Sequence, residues 1–265
     1  GQFIVNTSFR DSTTFLVQAR TKKGFAGVDI LMDPPQYPVA THKAPYFNGA
    51  TTFMEDYLMN MRQISDAAYY SVIKESDFST ESEEIQKGMQ LLYEANKSRL
   101  RSIAIYNNFG SLIAAEPVVS QKEDPNVTKQ DWFIHAMDEM ENIHFSIPHI
   151  QNLFDDGTFR YYWVISSSRV VELTNGVNSQ KGVLLVDMDY SEISRMMDQI
   201  NTLENGQYFY LCDSNGKIIY HPRQMQISDG KLSESSEAAA KSQKMIYDEY
   251  FEGKHRKVIV SPISY

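Results

Sequence analysis

The residues of this chain best suited to chemistry are an aromatic set and one carboxylate. Trp132 and Phe133 open a short helical stretch, Tyr161, Tyr162 and Trp163 are consecutive on a β-favouring run, and Asp187 and Asp189 end the apolar run Val183–Val186. Aromatic walls around a fixed polar group are how a small-molecule pocket is built. Alternate residues of a strand share a face, so Tyr161 and Trp163 point one way and Tyr162 the other. A carboxylate at the end of a buried-looking strand must find donors or carry a large desolvation cost. Two explanations fit this set. It is core packing with a strand-end turn, or it is a pocket in which Asp187 fixes a polar group or an amine.

Other chemistries find less support. The six histidines, His42, His135, His144, His149, His221 and His255, form no H-E-x-x-H and accompany no cysteine pair at metal spacing. His144 and His149 flank a strand interrupted at Pro148, so their side chains need not converge. Asp124-x-Asn126-x-Thr128 begins like a calcium loop, but Lys129 stands at the sixth position and His135 at the twelfth, where Gly and a bidentate Glu belong. No G-x-S-x-G, P-loop or G-x-G-x-x-G occurs. No metal and no cofactor is implied. A cytosolic enzyme with an unrecognised site is the reading that a cluster of strongly perturbed titratable groups would favour.

Composition narrows the partners. A net charge of −9 offers no basic stripe for phosphates, which argues against nucleic acid, and it disfavours anionic lipid. The single cysteine, Cys212, excludes an intrachain disulfide and is expected to be a buried, inert thiol. That leaves a cytosolic protein, or an extracytoplasmic domain large enough to need no staple. No run approaches the roughly 20 apolar residues of a membrane span. The chain reads as a piece of something larger.

The elements that must position these residues follow from pattern. Residues 1–50 carry strand-like runs at Phe3–Val5 and Thr13–Val17, broken later by prolines. Phe53, Tyr57, Met61, Ile64, Ala68 and Val72 make one apolar stripe, predicting a helix over 51–75. A second helix is predicted over 82–98, a short one over 131–141, another over 190–203, and a surface helix over 233–242. Strands are predicted at 146–150, 160–171, 181–189, 244–251 and 256–262, with turns at 155–157 and Asn175-Gly176. A strand–turn–strand–proline unit appears twice, at Ser102–Pro117 and Gln207–Pro222, each turning through Asn/Asp and Gly. Two such hairpins imply two related α/β modules in series, each a single sheet with helices to one side.

Three segments resemble one family. Asp131-Trp132-Phe133-x-x-Ala136 resembles its Trp-Tyr-x-x-Ala segment, Gly182–Met188 its Gly-Val-Leu-Gly-Ile-Asp-Ile strand, and Phe209–Pro222 its Asp-x-x-Gly-x-Ile-x-x-His-Pro strand. From about residue 51 onward the chain is similar to an extracytoplasmic double Cache sensor domain of a bacterial transmembrane receptor. The resemblance implies an α+β fold, with a long N-terminal stalk helix followed by two tandem PAS-like antiparallel-sheet modules. The divisions it implies are an arm over 1–50, stalk helices over 51–100 and a membrane-distal ligand-binding module over 101–189. A connecting helix over 190–205 and an incomplete membrane-proximal module over 206–265 follow. The proximal module lacks its usual last strand, which is either missing or replaced by the N-terminal arm.

The function implied is ligand sensing for a receptor, most of all a histidine kinase, with a chemoreceptor or diguanylate cyclase as alternatives and no catalysis by this fragment. Its expected location is outside the cytoplasmic membrane, tethered through flanking spans, with a homodimer in the full receptor. The expected ligand-binding residues are Trp132, Tyr161, Trp163, Asp187 and Gln130. In amino-acid-binding members an Arg stands where this chain has Gln130, which puts α-amino acids in question. A domain of the same fold that binds a protein partner, or acts as a spacer, is the remaining alternative.

Overall fold

The computed structural model describes residues 4–8, 13–18, 45–74, 76–122, 125–138, 143–155, 162–201, 208–213, 216–234 and 246–259. Tyr161, most of the expected turn at 155–157 and nearly all of the expected surface helix over 233–242 lie outside them. The chain divides into two compact units, one of residues 59–191 and one joining residues 1–58 to 192–265. Helix α1 (Pro45–Ala68) runs across that division and continues as a π-helical turn, Tyr69–Ile73. It thus begins six residues earlier than the apolar stripe suggests.

In the unit of residues 59–191, α2 (Ser82–Asn96) precedes the hairpin β3 (Leu100–Asn107) and β4 (Leu112–Glu116). The short β5 (Ser120–Gln121) and α3 (Asp131–Asp138) come next, then β6 (His144–Phe145), β7 (His149–Ile150) and β8 (Phe154–Asp155). The long hairpin β9 (Trp163–Asn175) and β10 (Asn178–Asp189) ends the unit. These strands form an antiparallel sheet in the order β4-β3-β10-β9-β6, with β7 also on β9, while β5 pairs with β8. The strand expected over 146–150 is split in two around Pro148, which cannot donate to a ladder.

Helices cover both faces of this sheet, which corrects the expectation of helices on one side only. The reason lies in β10, which is apolar on both faces. Val183 and Leu185 join Ala104 and Tyr106 of β3 and Trp132, Phe133 and Ala136 of α3 in one buried cluster. Leu184, Val186 and Met188 are equally buried on the other face. There, Arg169 of β9 reaches α1, with Nη1 2.6 Å from Asp66 Oδ1 and its guanidinium over the Tyr69 ring. Gln86 of α2 donates to the Ala115 carbonyl and to Glu116. Each large apolar side chain so covered contributes about 1.5–3 kcal/mol.

The other unit contains β1 (Ile4–Ser8), β2 (Thr13–Gln18), α4 (Ser191–Ile200, its first residue just outside the unit), β11 (Leu211–Cys212), β12 (Ile218–Tyr220), α5 (Gln224–Ser228), β13 (Ile246–Phe251) and β14 (Lys254–Ile259). Its main sheet has the order β1-β2-β14-β13, with β2 parallel to β14 through His255 opposite Thr13. The hairpin of the N-terminal arm therefore extends the C-terminal sheet beside β14. Cys212 is buried and donates to the Asp213 carbonyl.

The repeated hairpins share one turn geometry. Asn107 N–H donates to the Ser111 carbonyl, Gly110 N–H to the Asn107 carbonyl, and Ser111 N–H to Asn107 Oδ1. Asp213 makes the same three bonds with Lys217 and Gly216. Gly110 and Gly216 both have positive φ, +80° and +84°, which a side chain would strain.

Gly182 is fixed by space instead. A Cβ there would lie 2.4 Å from Leu173 Cδ1 and 2.6 Å from the Tyr106 carbonyl oxygen. Gly182→Ala should cost about 1–3 kcal/mol by overpacking. Gly49→Ala, in α1 where a Cβ meets nothing within 4 Å, should instead stabilise by about 0.5–1 kcal/mol. Urea unfolding of the two variants beside the parent reads both signs.

Candidate functional site: a buried carboxylate on the central strand

Strand register assembles the site. On the sheet face that carries α3, Ser102 of β3 lies opposite Asp187 of β10, and Asp187 lies opposite Ser166 of β9. The three side chains form one polar row across three strands. Asp187 is 2 % exposed. Ser102 Oγ donates to its Oδ2 at 2.7 Å, and Ser166 Oγ donates to its Oδ1 at 2.5 Å. Both carboxylate oxygens thus accept a hydroxyl, the minimum that keeps a buried charge tolerable.

Burial still wins. It pushes the Asp187 carboxyl above its ordinary value, while the Ser166 and Ser102 hydroxyls and the nearby His149 pull the other way.

Neighbouring rows supply the rest of the face. Ser168, one row along, donates to the Trp132 carbonyl at 2.8 Å and ties α3 to β9. Tyr106 lies two rows from Asp187, completely buried, with its ring 5.5 Å from that of Trp132. Among the described residues its hydroxyl has no hydrogen-bond partner. Burial, and the charge of Asp187, hold the phenol well above its usual range. A buried hydroxyl left without a partner costs about 1–3 kcal/mol, so it marks a place where a partner is expected. His149 on β7 approaches the row from the side, its Nε2 3.3 Å from Ser166 Oγ.

The expected site residues divide as follows. Trp132 and Asp187 lie on the same side of the sheet, with Tyr106 against Trp132 and two rows from Asp187. Gln130 caps the start of α3, accepting the N–H groups of Phe133 and Ile134, and its own amide donates to the Pro125 carbonyl at 3.0 Å. Trp163 opposes Ile150 at the start of β9, on the face away from Asp187, and is 51 % exposed. Its odd position in the strand sets that orientation, since Ser166 and Ser168 take the even one. Tyr161 is outside the described residues.

Sequence reasoning missed Tyr106, Ser102, Ser166 and His149. The signal was present: Ser166-Ser167-Ser168 places three hydroxyls in the middle of a buried strand, where apolar residues belong.

Other polar clusters serve structure. In the other unit, Arg223 N–H donates to His221 Nδ1, so His221 Nε2 carries the hydrogen that faces Glu234 Oε2 at 3.3 Å. Tyr208 donates to the same oxygen. The His221 and Glu234 side chains have no exposed surface, as befits an internal tie. His135 and His144 stack at 6.1 Å. Among the described residues no group of three or more His, Cys, Asp or Glu could hold a metal ion.

Two outcomes follow from this geometry. Tyr106→Phe removes a hydroxyl that bonds nothing, so the free protein should keep its unfolding free energy or gain up to about 1 kcal/mol. Asp187 gives a pH dependence. A carboxyl whose pKa is higher in the fold than in the unfolded chain holds its proton more tightly in the fold. Its contribution to stability is then complete below the unfolded value and is lost as pH rises through the folded one. Asp187→Asn should therefore gain on the parent as pH rises over that interval, and chemical unfolding at a series of pH values reads the difference.

Comparisons with known proteins bear on the fold that carries this row. The sequence profile described as Cache domain matches residues 39–262. A search of curated protein sequences returned no match. Among solved structures, the ligand-binding domain of the Pseudomonas aeruginosa PAO1 amino acid chemoreceptor PctC, in complex with GABA, is 14 % identical. That match has a TM-score of 0.59, over 82 % of this chain and 90 % of that one. The corresponding domain of PctB from the same organism, in complex with L-Arg, is 16 % identical with a TM-score of 0.57, over 83 % and 79 % of the two chains. That of the Pseudomonas fluorescens chemoreceptor CtaA, in complex with L-serine, is 14 % identical with a TM-score of 0.54, over 79 % and 84 %. At such identities the likeness is one of fold. With the family profile spanning most of its length, the chain belongs to the Cache domain family.

Proposed function

We propose that this chain is the extracytoplasmic ligand-sensing domain of a transmembrane signal-transduction receptor, binding a small molecule at the Ser102–Asp187–Ser166 row. The observation that carries this reading is a buried carboxylate and, two rows along the same face, a buried phenol with no hydrogen-bond partner among the described residues, between the sheet and α3 of a Cache domain. A structural core has no use for that pairing. A ligand carrying an ammonium or a hydrogen-bond donor satisfies both groups at once. Asp187 anchors it, Tyr106 donates to or accepts from it, and Trp132 supplies an apolar wall. Gln130 stands at the mouth of α3 as a neutral neighbour.

In this reading α1 is the stalk, residues 101–189 are the membrane-distal module and residues 206–265 the membrane-proximal one, with the N-terminal arm completing its sheet. The domain itself performs no catalysis. Binding biases a two-state arrangement that an intracellular module reads, in a receptor held by flanking spans and paired as a homodimer. A histidine kinase is the output module that the sequence resemblance suggests. A chemoreceptor is the second reading, favoured by solved neighbours that are chemoreceptor ligand-binding domains. The residues that follow the domain in the full gene product discriminate between them.

The binding claim is tested by thermal shift against a panel of L-amino acids, GABA and small primary amines. A binder present at about 100 times its Kd adds about 2.7 kcal/mol. That should raise Tm by about 5–10 °C for a domain of this size. Asp187→Asn should abolish the shift, and Tyr106→Phe should reduce it while leaving the free protein unharmed. An Asp187→Asn variant that retains the full shift contradicts this assignment.

A further inference from the structure

The hydrogen-bond directions around Ser166 assign a role to His149. Its Nδ1 lies 3.0 Å from the Ile147 carbonyl and 3.2 Å from Ser146 Oγ; the carbonyl only accepts and is the nearer of the two, which assigns the hydrogen of the neutral ring to Nδ1. Its Nε2 faces Ser166 Oγ at 3.3 Å, and that same oxygen donates its single hydrogen to Asp187 Oδ1. Ser166 is held in place from behind. Its N–H donates to Ser146 Oγ, and its carbonyl accepts from the Ser146 N–H. The hydroxyl therefore sits between an imidazole and a carboxylate and cannot donate to both.

Counting protons along Nε2, Oγ and Oδ1 gives three arrangements. With two protons on this path the chain is complete in either direction. Nε2 donates to Oγ and Oγ donates to a carboxylate, or a carboxylic acid donates to Oγ and Oγ donates to Nε2. Both are neutral overall. With one proton, Ser166 still donates to the carboxylate, Nε2 has no hydrogen to offer, and the site carries one negative charge.

We propose that His149 is a specificity-determining positioning residue, which through Ser166 decides whether Asp187 meets a ligand as a carboxylate or as a carboxylic acid. The proposal rests on the reading of Asp187 as the ligand anchor and adds its regulation. A cationic ligand selects the singly protonated, negative site. Its binding releases the second proton to water through the half-buried imidazole, and its departure takes that proton back. Cation affinity thus rises with pH. A neutral donor–acceptor ligand, which the complete chain also accommodates, shows no such slope.

Among the described residues, the neighbouring charged groups have partners of their own or face solvent. Arg101 of β3 is paired with Asp189 of β10 and lies over the Tyr162 ring. Across the sheet, Arg169 of β9 is paired with Asp66. His144 of β6 stacks on His135 of α3, and Asp131 and Asp138 at the two ends of α3 face solvent. Among the described residues, Tyr106 also feels the charge of Asp187.

The test needs no ligand at its first step. The Cε1–Hε1 resonance of His149 is followed by NMR from about pH 5 to about pH 8, where imidazoles titrate, in the 265-residue chain, with His149→Gln identifying the signal. The parent resonance should follow a different pH course from that of Ser166→Ala, which cuts the hydroxyl link, and from that of Asp187→Asn, which removes the carboxylate. Either variant suffices if the other does not fold. An identical His149 midpoint in the parent and in a folded variant overturns the proposal, since a residue serving only to pack would give that result.

The second step measures ethanolamine binding by calorimetry across the same pH range, in buffers of different ionisation enthalpy. The parent should release protons as the cation binds, and His149→Gln should change that release across the range, because Asp187 is then the one group of the path left to give up a proton. Proton release unchanged in His149→Gln also overturns it. If none of the panel compounds binds at any pH, it is the ligand reading of Asp187 that fails, and the His149 midpoint still decides the link through Ser166.

Discussion

Everything at the candidate site depends on one costly placement, a carboxylate in the middle of a sheet. Asp187 is flanked on both sides by strands whose register places a serine directly opposite it. Two hydroxyls compensate it without neutralising it, and burial keeps its proton affinity high. An arginine in either serine position would have made a structural ion pair and spent the charge. Serine leaves the charge in place and available. This is the arrangement expected of a group that awaits a partner, and the Tyr106 hydroxyl nearby has the same unsatisfied character.

The rest of the unit of residues 59–191 serves to hold that row dry and in register. The buried run of β10 is apolar on both faces apart from Asp187, so the sheet is covered twice, by α3 on the face of Asp187 and by α1 and its π-helical continuation on the other. Ser168 fixes α3 to β9, and the Arg169–Asp66 pair fixes α1 to the opposite face of the same strand. Gly182 permits the close packing of Leu173 on β9 against the β3–β10 ladder. Each of these contacts limits where the polar row can sit.

Much of this was legible in the sequence, and the failures have physical reasons. Alternation and β-branched content located β9 and β10, though β9 continues to Asn175, because a strand that starts in a hairpin is limited by its turn and not by its composition. The Asn/Asp-x-x-Gly turns were legible because positive φ demands glycine. Asp187 stood out as a carboxylate on an apolar run. Tyr106 and Ser102 did not, because nothing in a single strand's sequence says which residue of a partner strand will lie opposite. Alternation groups Trp163 with Tyr161, but a single strand's sequence does not say which face carries the carboxylate, and Trp163 lies on the other one. Pro148 separates His144 from His149 in the sequence, so their placement was not legible there; in the fold, two short strands on either side of that proline both return to β9.

The measurement that reaches the central claim most directly is the side-chain carboxyl carbon resonance of Asp187 as a function of pH, in the free protein and with a stabilising panel compound added. A carboxyl held for a cationic ligand titrates above the ordinary aspartate range when the protein is free, and its midpoint falls when the ligand is bound. An ordinary midpoint that does not respond to any compound that stabilises the protein would contradict it.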